Sequence, residues 1–219
     1  MSDHFRLVVF DLDGTLVRPR SGWIYIHSLL GTEGGSKESE KLYFSGKISW
    51  QEWAERDARL WSGASLEKIL NASKRCPLNP GAIKAVKTLQ KAGYEVVIIS
   101  AGLLPIARAV GDRLGISRVF ANELKDDGEA LTGEVKTRVS ASNKHEVLRG
   151  LLEEMELESH QVVAVGDDFS MIPLFREVGL SIAFNPMDSS VGESAKIVVK
   201  DRNLSSVLPH ILGHDYSEA

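Results

Sequence analysis

Apolar positions along the chain fall into two alternating patterns. Short runs at Leu7 to Phe10, Glu95 to Ser100, Val162 to Gly166 and Leu180 to Phe184 read as buried strands, with Lys196 to Val199 as a fifth. Between them the apolar residues recur at helical spacing. "NPGAIKAVKTLQKAG" reads as a helix with Asn79 as N-cap, Pro80 in the first turn and Gly93 at its end. "NKHEVLRGLLEEME" places Val147, Leu148, Leu151 and Leu152 on one face, and "IPLFREVG" and "LSSVLPHIL" complete the series. Strands alternating with helices predict an α/β fold, a Rossmann-like parallel sheet with helices on both faces. Ligands of such sheets gather outside the carboxyl ends of the strands. Asp11, Ser100 and Asp167 each lie just past a predicted strand and are expected to share one crevice.

Two segments break the alternation. Phe120 to Val135 holds a strand, an Asp-Asp-Gly turn and a returning strand, which is the pattern of a β-hairpin. Arg18 to about Cys76 has no strand candidate but carries Trp23, Trp50, Trp53 and Trp61 together with Tyr25, Tyr43 and Phe44. This reads as a small helical insert, too thin to bury much area without large rings. The rings are expected to form the insert's own core; the alternative is that one or two face the crevice. Within it, Gly31 to Lys41 reads as a flexible loop, and its Gly35-Ser36-Lys37 lacks the spacing of a phosphate-binding loop. The expected division is residues 1–17 and 78–219 as the α/β core and residues 18–77 as a helical cap.

The 219 residues are 43% hydrophobic and 26% charged, an ordinary globular composition. A net charge of −4 leaves no basic surplus for a nucleic-acid partner. Cys76 is the only cysteine, which excludes an intramolecular disulfide and a cysteine metal cluster. No apolar run approaches the roughly 20 residues that span a bilayer, so no membrane partner is expected. The opening "MSDHFRLVVF" is unlike a signal peptide, and a cytoplasmic location is expected.

The chemistry is concentrated in four separated pieces. "VVFDLDGTLV" ends a buried run with two carboxylates, Asp11 and Asp13, and like charges so close resist joint ionisation without a positive partner. "IISAG" supplies Ser100 with the backbone N–H groups of Ala101 and Gly102, leading into a helix near Leu104. "NKHEV" supplies Lys144, and "VGDD" supplies Asp167 and Asp168. Such a set makes a poor core and a good site for a phosphate with a divalent metal. Repulsion between a carboxylate nucleophile and a phosphate is about 4 kcal/mol per charge pair at 4 Å in a dielectric of 20. Mg²⁺ held by Asp11 and Asp167 with Lys144 beside it reverses that sign, and an all-oxygen donor set without a His cluster suits that ion. Thr15 is expected to brace the Gly14 turn through its hydroxyl.

In this order the four pieces resemble the haloacid dehalogenase superfamily of phosphohydrolases, and most nearly its phosphoserine phosphatase group. The matching residues are Asp11, Asp13 and Thr15, then Ser100, then Lys144, then Gly166-Asp167, so the likeness spans essentially the whole chain. It implies a phosphomonoester hydrolase acting on a small phosphorylated metabolite, as monomer or homodimer, with Mg²⁺ as cofactor. Asp11 would be the nucleophile that carries an aspartyl-phosphate, and Asp13 the acid and base. Ser100, Ala101, Gly102 and Lys144 would bind phosphate, and Asp11, Asp13, Asp167 and Asp168 would hold the metal. Alternatives are a phosphotransferase or mutase on the same fold, or a catalytically weakened binding or regulatory module. The group's pattern after Gly-Asp continues to an Asn-Asp pair, where this chain has Ser170 and Met171, and Asp168 is expected to supply the missing carboxylate. The group also reads its amino acid with a glutamate after the first motif and an arginine on the cap. Here Arg18 and Arg20 stand where the glutamate would be expected and Asp57 at the arginine position, with Arg56 one residue away and Arg59 beyond. Arg20 and Arg56 are therefore the expected substrate readers, and phosphoserine is expected to be a poorer substrate than an ester with a second anionic or hydroxyl-rich group.

Overall fold

A computed structural model describes residues 5–213. Its centre is a seven-stranded sheet of β1 (Leu7–Phe10), β2 (Glu95–Leu103), β3 (Arg118–Asp126), β4 (Leu131–Lys136), β5 (Val162–Gly166), β6 (Leu180–Phe184) and β7 (Ile197–Val199). The order is β4-β3-β2-β1-β5-β6-β7, parallel except for β4, which returns antiparallel along β3 as the expected hairpin. β1 lies between β2 and β5, with Phe10 paired to Ile98 and to Val165. This register is why Asp11, Ser100 and Asp167 emerge side by side. β2 runs three residues beyond its predicted end, because its register with β3 shifts after Ile99 and pairing resumes at Leu103.

Helices α5 (Ala82–Lys91), α6 (Leu104–Leu114), α7 (Lys144–Met155), α8 (Ile172–Phe175), α9 (Ser189–Ser194) and α10 (Leu208–Leu212) flank the sheet. Two apolar layers result. One joins Val8, Phe10, Val86, Leu89, Ile106 and Val110; the other joins Val9, Val97, Leu148, Leu151, Leu174 and Phe175. Every side chain of β1 is fully buried, as a strand covered on both faces requires.

The insert contains four helices, α1 (Gly22–Leu30), α2 (Glu33–Phe44), α3 (Trp50–Arg59) and α4 (Leu66–Arg75). α2 corrects the expectation of a loop at Gly31 to Lys41. Only Gly31 terminates a helix, capping α1 with φ +70. Gly34 and Gly35 lie inside α2, where Gly35 sits against Leu60 and Ser36 and Ser39 are buried, so tertiary packing overrides their low helix propensity. α3 begins with a reciprocal cap between Ser49 and Glu52. Asn79 is not the cap of α5, which starts two residues later, after Gly81. Its amide instead donates to the carbonyls of Gly14, Thr15 and Val17 at 2.9, 2.7 and 3.2 Å, tying the first motif to the entry of α5. Cys76 is buried, and burial pushes its thiol up to about 12. Among the described residues, no helix is long and apolar enough to cross a membrane.

Candidate active site

Where β1 ends, the chain closes a single wide turn over Leu12–Leu16. Gly14 adopts φ +69 there, and a Cβ at this position would run into the Asp167 carboxylate. Asp11 Oδ1 accepts the Leu12 N–H at 2.7 Å, and its Oδ2 accepts Lys144 Nζ at 2.7 Å. Lys144 reaches this point from the first residue of α7, fully buried, with Met171 Sδ at 3.4 Å as its second contact. Thr15 does not brace its own turn; its hydroxyl donates to Asp167 Oδ1 at 3.0 Å.

The electrostatics follow from burial. Desolvation pushes Asp11 up to about 6, against the pull of Lys144 and with Asp168 adding to the rise. Burial likewise raises Asp13 to about 7, with the Gly22 amide opposing and Asp11 reinforcing. Burial, then Asp11 and Asp168, raise Asp167 to about 8, while Thr15 and Arg20 hold it down. Burial works against the charge on Lys144, but Asp11, Asp168 and Asp167 outweigh it and raise that group. Metal-free, the site has too many carboxylates for its single buried cation.

The phosphate-side residues are brought together as expected. Ser100 is buried, and its Oγ accepts the Gly102 N–H at 2.9 Å. Gly102 must lack a side chain, since a Cβ would stand 2.6 Å from Asp13 Oδ2. Asn122, which the sequence pattern did not single out, fixes this loop. Its amide donates to the carbonyls of Ala101, Gly102 and Val139, and its carbonyl accepts the N–H of Arg138 and of Val139. It is completely buried, and a polar strand residue with all its bonds spent on backbone is the signature that could have identified it.

Of the two expected substrate readers, the structure places Arg20 at the crevice and Arg56 off it. Arg20, at the mouth of the crevice, spends its guanidinium on Asp167 Oδ2 at 3.0 Å. Arg56 points off the crevice toward Glu38 on α2, 3.7 Å away, because one residue turns a helix by about 100°. Asp57 takes the crevice position instead.

Among the described residues, no three His, Cys, Asp or Glu side chains already close on one ion. Arg20 engages Asp167, and Ser170 donates its N–H and hydroxyl to Asp168 Oδ1. The donor set still fits a hard divalent cation. Its ligands are all oxygen, Asp13 Oδ1 is buried without a hydrogen-bond partner, and Mg²⁺ needs only one or two carboxylates beside waters and a substrate phosphate. Asp168 faces the same crevice as Asp11 and Asp13, which suits it to the role of second carboxylate.

That crevice, of about 440 Å³, lies between the sheet and α1–α3. The aromatic residues correct the expectation of a cap core. Trp61 alone of the four tryptophans is fully buried, whereas Trp23, Trp50, Trp53 and Phe44 line the crevice. Trp23 stacks on Trp61 at 5.5 Å and meets the edge of Trp50 at 6.3 Å. Tyr43 stacks behind Trp53 at 4.7 Å, and Phe44 contacts Phe169 of the core edge-on at 6.4 Å.

Comparison with known proteins agrees with this site. The family model for haloacid dehalogenase-like hydrolases matches residues 8–176. The chain belongs to that family, on its phosphatase branch. It is 31% identical to a phosphoserine phosphatase of Methanocaldococcus jannaschii, over 94% of this chain and 97% of the relative. It is 33% identical to that of Archaeoglobus fulgidus over 90% of this chain, but spans only 54% of that longer protein. Among solved structures it matches a phospho-aspartyl intermediate analogue of phosphoserine phosphatase with TM-score 0.82 and 30% identity, covering 95% of this chain and 99% of the other. A substrate-bound phosphoserine phosphatase complex matches with TM-score 0.83 and 29% identity, over 94% and 98%.

Proposed function

We propose that the protein hydrolyses the phosphate monoester of a small metabolite through an aspartyl-phosphate on Asp11. The observation that carries this is the pairing of two unlike carboxylates on one turn. Asp11 is fixed by Leu12 N–H and Lys144, while Asp13 beside it is pushed to about 7. One is held as a nucleophile and the other is ready to carry a proton.

An Asp11 oxygen attacks phosphorus, the ester P–O bond breaks, and Asp13 gives its proton to the departing alkoxide. Asp13 then takes a proton from water as the water oxygen attacks phosphorus and the Asp11–phosphorus bond breaks, restoring both side chains and releasing phosphate. Lys144 and the Ser100 loop meet the phosphoryl oxygens. A divalent cation held by Asp11, Asp167 and Asp168 would supply charge neutralisation on the transferring group. The core (1–17, 78–219) supplies this chemistry, and the cap (18–77) covers the leaving group.

Release of phosphate from an aryl phosphate, with Mg²⁺ and with chelator, tests the reading. Metal-dependent release is expected; its absence would favour the binding-module alternative. Asp13→Asn should cost about 10²–10⁴ in turnover, with the larger loss on alkyl esters, whose leaving groups most need the proton. Equal losses on aryl and alkyl esters would contradict the assigned role. Titrated against Mg²⁺, Asp167→Ala should shift half-saturation upward by about tenfold or more, and Asp168→Ala by less. Unchanged metal dependence in Asp168→Ala would place that residue outside the metal shell.

A further inference from the structure

The cap face over the nucleophile pairs aromatic rings with an unsatisfied negative charge. Trp50, Trp53, Ala54 and Asp57 stand at i, i+3, i+4 and i+7 on α3 and all line the crevice. Trp23 of α1 meets the edge of Trp50 from the neighbouring helix. Asp57 is 1% exposed, and its Oδ1 has no hydrogen-bond partner. A buried carboxylate oxygen left unpaired is costly unless something else completes it.

His27, which lies against Asp57, does not do so. His27 is wholly buried, with Nε2 3.1 Å from Asp57 Oδ2 but not aligned as a hydrogen bond. His27 Nδ1 lies 2.7 Å from Thr32 Oγ1, and Trp61 Nε1 is directed at both at 3.1 and 3.2 Å, so the ring's other nitrogen is engaged away from Asp57. Asp57 Oδ1 is therefore left without a partner in the crevice wall. Glu40 adds a second carboxylate to the crevice wall.

Aromatic faces beside an unpaired carboxylate select a cation: the rings attract it through their quadrupoles and the carboxylate through charge. We infer that the leaving group is an amino alcohol without a carboxylate, its ammonium seated among Trp23, Trp50 and Trp53 and bonded to Asp57. This rests on the phosphatase reading and names the substrate class of that site. A carboxylate next to the ammonium, as in phosphoserine, would be brought against Asp57 and Glu40.

The test compares kcat/KM for O-phosphoethanolamine, its neutral isostere propyl phosphate, phosphoserine and an aryl phosphate, all with Mg²⁺. O-phosphoethanolamine should exceed both propyl phosphate and phosphoserine by about tenfold or more. In Asp57→Asn the ratio of O-phosphoethanolamine to propyl phosphate should fall toward one, whatever happens to the absolute rates. Turnover of the aryl and propyl esters with no preference for the amine would overturn the inference and leave the phosphatase reading intact. Phosphoserine leading the panel would do the same. Should no ester be hydrolysed, the phosphatase reading fails, and tryptophan fluorescence still decides the ligand. Quenching of the wild-type protein by O-phosphoethanolamine at concentrations about tenfold below those needed for propyl phosphate supports the ammonium seat, and equal quenching refutes it.

Discussion

Asp11→Asn is expected to reduce turnover by at least about 10³-fold while leaving a folded protein, the largest single loss at this site. An amide nitrogen and a neutral carbonyl oxygen are poor nucleophiles toward phosphorus, so the covalent step has no substitute. The shape of the residue is nearly preserved. The new carbonyl can still accept the Leu12 N–H or Lys144 Nζ, both now at 2.7 Å from Asp11. Nor should the fold suffer electrostatically, because one of several mutually repelling buried carboxylates is removed. Rapid acid quenching during turnover of phosphate-labelled substrate should leave label on the wild-type protein and none on the variant. Normal turnover by purified Asp11→Asn, or label retained by it, would end the covalent route through this residue.

What could be read from the sequence is what depends on neighbours in the chain. The Asp11–Leu12–Asp13–Gly14 turn announces itself because a buried strand that ends in two carboxylates has few physical explanations. The alternation of apolar runs with helical spacing likewise fixes a parallel sheet, and the sheet then brings Ser100 and Asp167 beside Asp11. Lys144 is legible only in company with the other pieces; by itself, a lysine at a helix start looks like a solvated one. Legibility ends where a residue's partner is distant. Asn79 followed by Pro80 has the local form of a helix cap, yet its amide serves carbonyls 62 to 65 residues earlier. The stripe Trp50, Trp53, Ala54, Asp57 was visible as a helix face, but periodicity does not say whether such a face meets another helix or an open crevice. Arg20 illustrates the same limit. Its place after the first motif suggests a substrate reader, and only the fold shows Asp167 within 3.0 Å. Glycine content misled in α2 for a related reason, since propensity is local and the packing of Gly35 on Leu60 is not.

Lys144→Met should destabilise the metal-free protein strongly at pH 8 and much less at pH 5. Lys144 is fully buried and lies 2.7 Å from Asp11 Oδ2, and methionine keeps much of its volume while removing the charge. Breaking a buried ion pair from one side typically costs about 3–5 kcal/mol, because the remaining charge is left uncompensated. The sign of the pH effect follows from Asp11. Its folded value of about 6 lies above the ordinary 3.8, so the folded state binds its proton more tightly than the unfolded chain does. Stability from this group therefore falls as pH rises from about 4 through 6, and Asp13 at about 7 and Asp167 at about 8 extend the decline. Lys144 restrains that decline by pulling Asp11 down. Without it the carboxylate is raised further, so the penalty grows at pH 8, where wild-type Asp11 is ionised. At pH 5 Asp11 is largely protonated in both proteins, and the lost partner matters less. Urea denaturation in chelator at the two pH values, on wild type and variant, measures the difference directly. A penalty of about 3 kcal/mol or more at pH 8 that shrinks by half or better at pH 5 is expected. A penalty equal at both values would mean that Lys144 contributes packing rather than charge to the cluster, and that Asp11 is not the group it restrains.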